Sequence, residues 1–270
     1  MSRPTLTALA VDVLTTKDGH EKTQKSIAAA KLWFDSVDDG DPLEIGNTTP
    51  PDVPSRPDAP ELLPPNKMPK RKTGSVKGRA ALLHAIAHIE LNAVDLHWDI
   101  IPRFAHVDMP RGYFDDWVKA AAEESKHFNL LCDRLHDMDS FYGDIPAHLG
   151  MWRSAQSTAT DFMGRLAIVP MVLEARGLDV TPGMIEMFRN VGDEKTVETL
   201  EIIYSEEVGH VAYGSKWFHF LCGRHNKDPK VEFHRLVGEY FPGGLKPPFN
   251  DEKRAEAGLP LDFYWPVAVS

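Results

Sequence analysis

From about Ser75 onward the apolar residues recur every three to four positions, the period of an amphipathic helix. The pattern predicts long helices near 76–104, 111–138, 149–176 and 194–222, a shorter one near 182–191 and another near 229–240. Turn signals separate them: Met109-Pro110-Arg111-Gly112, Tyr142-Gly143-Asp144 with Pro146, Gly177 through Pro182-Gly183, and Gly192-Asp193. No alternation of the β type is sustained anywhere, so the expected fold class is all-α.

The first 74 residues read differently. Thr5 to Leu14 fits a short helix, and His20 to Phe34 a second one with Ile27, Ala30, Leu32 and Phe34 as its apolar members. Proline then dominates, from Pro42 to Pro69. Proline lacks the amide proton and fixes φ, so this stretch is expected to be extended, either as a linker or as an arm lying across the body. The expected organisation is therefore an N-terminal helical segment and proline-rich arm over 1–74, a helical bundle over 75–240, and an irregular tail over 241–270 that begins near Pro242.

Each of the four long helices carries a glutamate on an otherwise apolar face. Glu90 has Leu83, Ile86, Ala87, Ala93, Val94 and His97 as its helical neighbours. Glu124 has Trp117, Ala120, Ala121, His127, Phe128 and Leu131, whereas Glu123 sits with Asp116, Lys119 and Lys126 and reads as solvated. Glu174 has Ala167, Met171 and Gly177, with Pro170 one turn before it, where a kink or a lost hydrogen bond is expected. Glu207 has Leu200, Ile203, Tyr204, His210, Val211 and Gly214; Glu206 has only slightly more polar neighbours. An ionised carboxylate in the middle of an apolar stripe is costly unless it is paired or bound to a metal.

The chain is 42% hydrophobic, enough for a sizeable core, and carries a formal net charge of −10. That acidity argues against a broad nucleic-acid surface. The one basic cluster, Arg79 with the Lys67-Met68-Pro69-Lys70-Arg71-Lys72 run, reads as a solvated linker end or a contact for an acidic partner. Cys132 and Cys222 lie far apart and lack metal spacing, so no disulfide framework is indicated. The N-terminus lacks the apolar run of a signal peptide, and no stretch approaches a membrane span. A reducing, cytoplasmic setting is expected, without a membrane partner.

Two hard metal ions need oxygen donors, some of them bridging, and an imidazole on each ion. In a four-helix bundle this is met by one Glu from each of two helices and a Glu-x-x-His from each of the other two. Applied here, that rule selects Glu90, Glu124, His127, Glu174, Glu207 and His210. Two Glu-x-x-His pairs alone are a weak signal. The order is stronger: 34 residues separate Glu90 from Glu124, 33 separate Glu174 from Glu207, and 50 lie between Glu124 and Glu174. Two similar helical hairpins joined by a longer connection fit that spacing.

The segments Leu83-His84-Ala85-Ile86-Ala87-His88-Ile89-Glu90-Leu91, Glu123-Glu124-Ser125-Lys126-His127-Phe128, Val172-Leu173-Glu174-Ala175-Arg176-Gly177-Leu178-Asp179 and Glu206-Glu207-Val208-Gly209-His210-Val211 resemble the ferritin-like di-iron carboxylate superfamily. More narrowly, they look like a bacterial ferritin-like family whose biochemical role is largely unassigned. The resemblance spans roughly residues 75–222. It implies a ferritin-like four-helix bundle with one long crossover and a di-iron site, but no substrate.

Other residues complete the candidate set. His84 and His88 lie four apart on one helix face; the metalloprotease pattern is missing, so they are expected as hydrogen-bonding partners near Glu90. His97 shares the Glu90 face two turns on, roughly 10 Å by helix rise, and is expected to line a cavity or pack rather than share that metal. Tyr204 and Tyr213 flank the second Glu-x-x-His, where a tyrosine either packs or serves oxygen chemistry. The expected function is an oxygen-activating di-metal oxidoreductase, a hydroxylase or oxidase, with two iron ions; manganese or a mixed pair suits the same ligands. Its expected partners are dioxygen, a small-molecule substrate and an electron-donor protein, and its expected state is a monomer or homodimer. Iron storage and a tRNA-modifying hydroxylase are the alternative functions. A purely structural helical protein remains the reading without metal.

Overall fold

The structure, a computed structural model, describes residues 3–64, 67–68, 73–148 and 150–269. Pro65 and most of the basic run, Pro69 to Lys72, lie outside the described residues. The elements are α1 (Leu6–Thr15), α2 (Gly19–Asp38), β1 (Leu62–Leu63), α3 (Val76–Arg103), α4 (Arg111–His136), β2 (Ala147–His148), α5 (Gly150–Ser157), α6 (Phe162–Ile168), a π-helical stretch (Val169–Glu174), α7 (Ala175–Asn190), α8 (Glu194–Arg224), α9 (Pro229–Tyr240), α10 (Asp251–Glu256) and α11 (Leu261–Tyr264), then a 3-10 turn (Trp265–Val267). The fold is all-α; the two-residue strands β1 and β2 form one short parallel pair. The chain divides into two compact units, Met1–Trp152 and Arg153–Ser270.

In the first unit, α3 and α4 pack along each other, α2 lies on α4 and α1 on α3. Helix starts follow local chemistry: the Thr5, Asp18 and Ser75 side chains accept from the backbone amides of Ala8, Glu21 and Gly78, which satisfies donors that a helix leaves open. Helix α3 is buried on nearly every side from Glu90 to Pro102 and carries Glu90, Asn92, Asp95, His97 and Asp99 inside. A helix buried all round normally excludes such groups, so each needs a compensating contact. Several are visible. Lys22 forms a buried ion pair with Asp95. Arg103 grips Asp99 through Nε and Nη2 at 2.6–3.0 Å and also donates to the Pro51 carbonyl. Trp98 Nε1 donates to Ser26 Oγ, which donates to the Ala121 carbonyl and so links α2, α3 and α4.

The proline-rich stretch is an arm docked on this unit. Ser55 N–H donates to the Leu14 carbonyl, Lys22 Nζ donates to the Ser55 carbonyl, and Leu62 and Leu63 pair with Ala147 and His148. Proline cannot supply ladder amides, and side chains of the body supply the donors instead.

In the second unit the 31-residue α8 is the spine, with α6, the π-helical stretch and α7 packed on it. Where one helix was expected over 149–176, the chain breaks after Ser157 and restarts at Phe162. Asp161 caps the restart by accepting from Gly164 N–H. The expected turn at Gly177 and Pro182-Gly183 is instead interior to α7. Pro182 removes the amide that would meet the Leu178 carbonyl, and Asn250 Nδ2 donates to that carbonyl at 3.2 Å. The segment from Pro242 is likewise more ordered than expected: it contains α10 and α11, and Arg254 clamps Asp179 through Nε and Nη2 at 2.8 and 2.7 Å.

Pro170 does more than kink its helix. Without its N–H the regular pattern cannot run through, and the backbone widens to i→i+5, with Ala175 N–H reaching the Pro170 carbonyl. The Pro170 ring then lies against Gly214 of α8, where a Cβ would come within 2.4 Å of Pro170 Cγ. Gly183, by contrast, has open space around it. Gly214→Ala should therefore cost about 1–2 kcal/mol, overpacking outweighing the better helix propensity, whereas Gly183→Ala should stabilise by up to about 1 kcal/mol. Urea unfolding of both variants checks this; equal effects would contradict the assigned contact.

Candidate metal centre

The first unit gathers three of the six selected ligands. Glu90 projects from α3, and Glu124 and His127 from one turn of α4. One ligand atom from each lies within 4.8 Å of the others. His127 Nδ1 is 3.3 Å from a Glu90 oxygen and 3.5 Å from a Glu124 oxygen. All three are buried, Glu124 and His127 completely. Three-residue spacing on a helix makes this possible, because it places Glu124 and His127 on one face. Burial pushes the Glu90 carboxyl well above the usual range; the Glu124 carboxylate adds to the rise and His127 opposes it.

A fourth side chain joins this cluster. His97 Nε2 lies 3.5 Å from the second Glu124 oxygen, and its ring stacks on Trp117 at 5.3 Å between centroids. Helix rise along α3 separates His97 from Glu90, as expected, but Glu124 reaches across from α4 to meet His97. The approach is tertiary, and spacing along one helix carries no sign of it.

The second unit gathers the other three. Glu174 closes the π-helical stretch, and Glu207 and His210 share one face of α8. Their ligand atoms also lie within 4.8 Å of one another, and His210 Nδ1 is 3.6 Å from Glu207. Glu207 and His210 are buried, while Glu206 is half-buried. The widened π turn shifts Glu174 relative to a regular helix, a common device where a helix serves a site. Pro170, one turn earlier, is the sequence signal for it.

The remaining candidates have other partners. His84 stacks on Tyr142 and its Nε2 accepts from Gly143 N–H. His88 bonds Tyr142 Oη through Nδ1 at 2.8 Å and the His148 carbonyl through Nε2 at 3.2 Å. The bond to the carbonyl, which can only accept, requires the proton on Nε2 and leaves Nδ1 to accept from Tyr142; Asn92 Nδ2, also 3.2 Å from Nε2, then gives its hydrogen bond to the His88 carbonyl instead. Burial lowers His88 to about 4, which keeps it neutral at pH 7. Both histidines occupy the stripe of α3 that faces the arm and the Tyr142 loop. Tyr204 accepts from Asn250 Nδ2 at 2.7 Å. The Tyr213 ring lies 6.4 Å from that of His210. Cys132 and Cys222 are free thiols, raised by burial to about 12 and about 11.

Each cluster therefore presents two carboxylates and an imidazole whose Nδ1 faces an acid oxygen. Two electron-rich atoms face each other at these distances only with a proton or a cation between them. Hard oxygen donors plus one imidazole form a donor set suited to iron or manganese, so the residues present fit a metal ion in each unit.

Comparison with known proteins follows this geometry. The family described as "Protein of unknown function (DUF455)" matches residues 15–265, and the chain belongs to it. An "Uncharacterized protein" of Haemophilus influenzae is 41% identical over 208 residues, covering 75% of this chain and 72% of that protein. No solved structure matches the chain.

Glu124→Gln keeps the shape and removes a buried charge. In chelator it should raise unfolding stability by about 1–3 kcal/mol, because a buried ion costs more than its neutral isostere. The same variant should bind Mn(II) or Fe(II) more weakly. Loss of apo stability with unchanged metal binding would contradict the assignment. The pH dependence has a fixed sign. A raised Glu90 pKa means that the metal-free protein keeps this proton to higher pH and is favoured by it, so that contribution to apo stability is lost as pH rises. Metal must displace the proton, so affinity should rise with pH and calorimetry in two buffers should show proton release.

Proposed function

We propose that Glu90, Glu124, His127, Glu174, Glu207 and His210 are the metal ligands of a di-iron, oxygen-activating oxidoreductase. The observation that carries the reading is the repeated cluster: each unit gathers two buried carboxylates and one imidazole with ligand atoms within 4.8 Å of one another, two of the three residues coming from a Glu-x-x-His. The duplicated donor set matches the one carboxylate-bridged metal pairs use, and it follows the chain order expected from the ferritin-like resemblance.

An iron pair supplies oxygen activation and two-electron redox capacity when bound. The chain supplies the rest. The Glu90, Glu124, Glu174 and Glu207 carboxylates balance the charge of the ions. His127 and His210 each give a nitrogen donor. His97, held by its stack on Trp117, orients Glu124 and so fixes which carboxylate oxygen faces His127. The apolar residues around Glu90 and Glu124, among them Ala87, Ala120, Ala121 and Leu131, are fully buried and keep bulk water away from the carboxylates. Dioxygen, a small-molecule substrate and an electron-donor protein are the partners this chemistry requires. Among the described residues, no helix is long and apolar enough to cross a membrane.

The test is exposure of anaerobic Fe(II)-loaded protein to air, followed by Mössbauer spectroscopy and oxygen uptake. The proposal predicts a magnetically coupled diferric pair and oxygen uptake stimulated by a small-molecule substrate. Uncoupled ferric ions would contradict the paired centre. Iron accumulation far beyond two per chain would replace the enzyme reading with storage.

A further inference from the structure

Beneath the proline-rich arm, on a stripe of α3 separate from Glu90, lies a cavity of about 20 Å³ lined by Lys22, Ser55, Arg56, Asn92, Asp95 and Tyr142 among others. We infer that it is a binding site for one small monovalent anion, a halide or a single carboxylate group, received by Arg56. This inference does not rest on the metal reading.

Among the described residues that line it, the wall carries one more positive charge than negative. Lys22 and Arg56 contribute two cations and Asp95 one anion, and Asp95 is already paired with Lys22. The neighbouring Asp99 is taken up by Arg103. Arg56 Nε and Nη2 are buried and have no hydrogen-bond partner among the described residues. Burial lowers the Arg56 pKa, with Asp95 opposing, but a guanidinium stays charged at neutral pH. The other donors are committed. Lys22 gives one N–H to Asp95 and one to the Ser55 carbonyl, leaving a third. Asn92 gives its amide to the His88 carbonyl, and Tyr142 gives its hydroxyl to His88. Trp152 lies 6.0 Å from the guanidinium, at the outer edge of cation–π range, and supplies little. Two buried N–H groups on a planar fork, with a third donor on Lys22, fit a halide or the end of a carboxylate. The volume admits one occupant of about water size. A water would satisfy hydrogen bonds but leave the charge. Because Ser55 and Arg56 belong to the arm and Asp95 to α3, an anion here ties the arm down.

The test uses the full chain at fixed ionic strength in sodium methanesulfonate, chloride or formate, with hydrogen exchange of residues 55–63 as the readout. An anion at ten times its Kd should slow exchange of that segment about tenfold relative to methanesulfonate, which is too bulky for the cavity and carries no carboxylate. Chloride alone, or formate as well, identifies a halide or a carboxylate site, and either supports the inference. Arg56→Gln should lose the anion dependence. Should that variant fail to fold, bromide-soaked crystals of the parent decide. Anomalous density beside Arg56 Nε and Nη2 supports the site. A water there, or exchange indifferent to the anion, overturns it.

Discussion

A carboxylate removed from water must find positive charge, and this constraint organises the site in both units. Glu124 is fully buried with an imidazole facing each of its oxygens, and in the second unit His210 Nδ1 faces Glu207 at 3.6 Å with Glu174 in the same cluster. An acid so placed costs several kcal/mol unless a proton or a cation shares the site. The protein keeps four such acids, Glu90, Glu124, Glu174 and Glu207, inside apolar surroundings. A sequence selected only for stability would replace them with leucine.

The surrounding architecture accommodates that cost. Helix α3 is buried along most of its length and disposes of its other charges by pairing: Asp95 to Lys22, Asp99 to Arg103. These pairs bind α2 and the arm to α3, so the helix that carries Glu90 is held from several directions. In the second unit the π-helical turn at Pro170 sets Glu174, and Gly214 is the residue that lets the proline ring approach α8. The Arg254–Asp179 clamp anchors the C-terminal segment on α7, just after Glu174.

Much of this was legible in the sequence where the determinants are local. The periods and caps of α3, α4, α8 and α9 match the structure closely because Ser75, Pro110, Asp193 and Asp228 stand at their starts. Glu90, Glu124, Glu174 and Glu207 stood out as acids on apolar stripes, and each lies buried. Reading failed where a distant partner decides. Pro182-Gly183 looked like a turn because the compensating Asn250 is 68 residues away in sequence. The single helix expected over 149–176 hid the Asp161 cap and the π turn. Helix rise separates His97 from Glu90 and suggests a cavity-lining or packing role; only the packing of α4 shows Glu124 beside it. The docking of the arm depends on Lys22, Ser55 and Asp95, three residues with no common motif.

The measurement closest to the central claim is metal content per chain by elemental analysis after anaerobic iron loading, for the parent and for one variant in each unit, His127→Ala and His210→Ala. The proposed di-iron reading predicts about two irons per chain in the parent and less in each variant. No stoichiometric metal in the parent, or unchanged iron content in both variants, would contradict it.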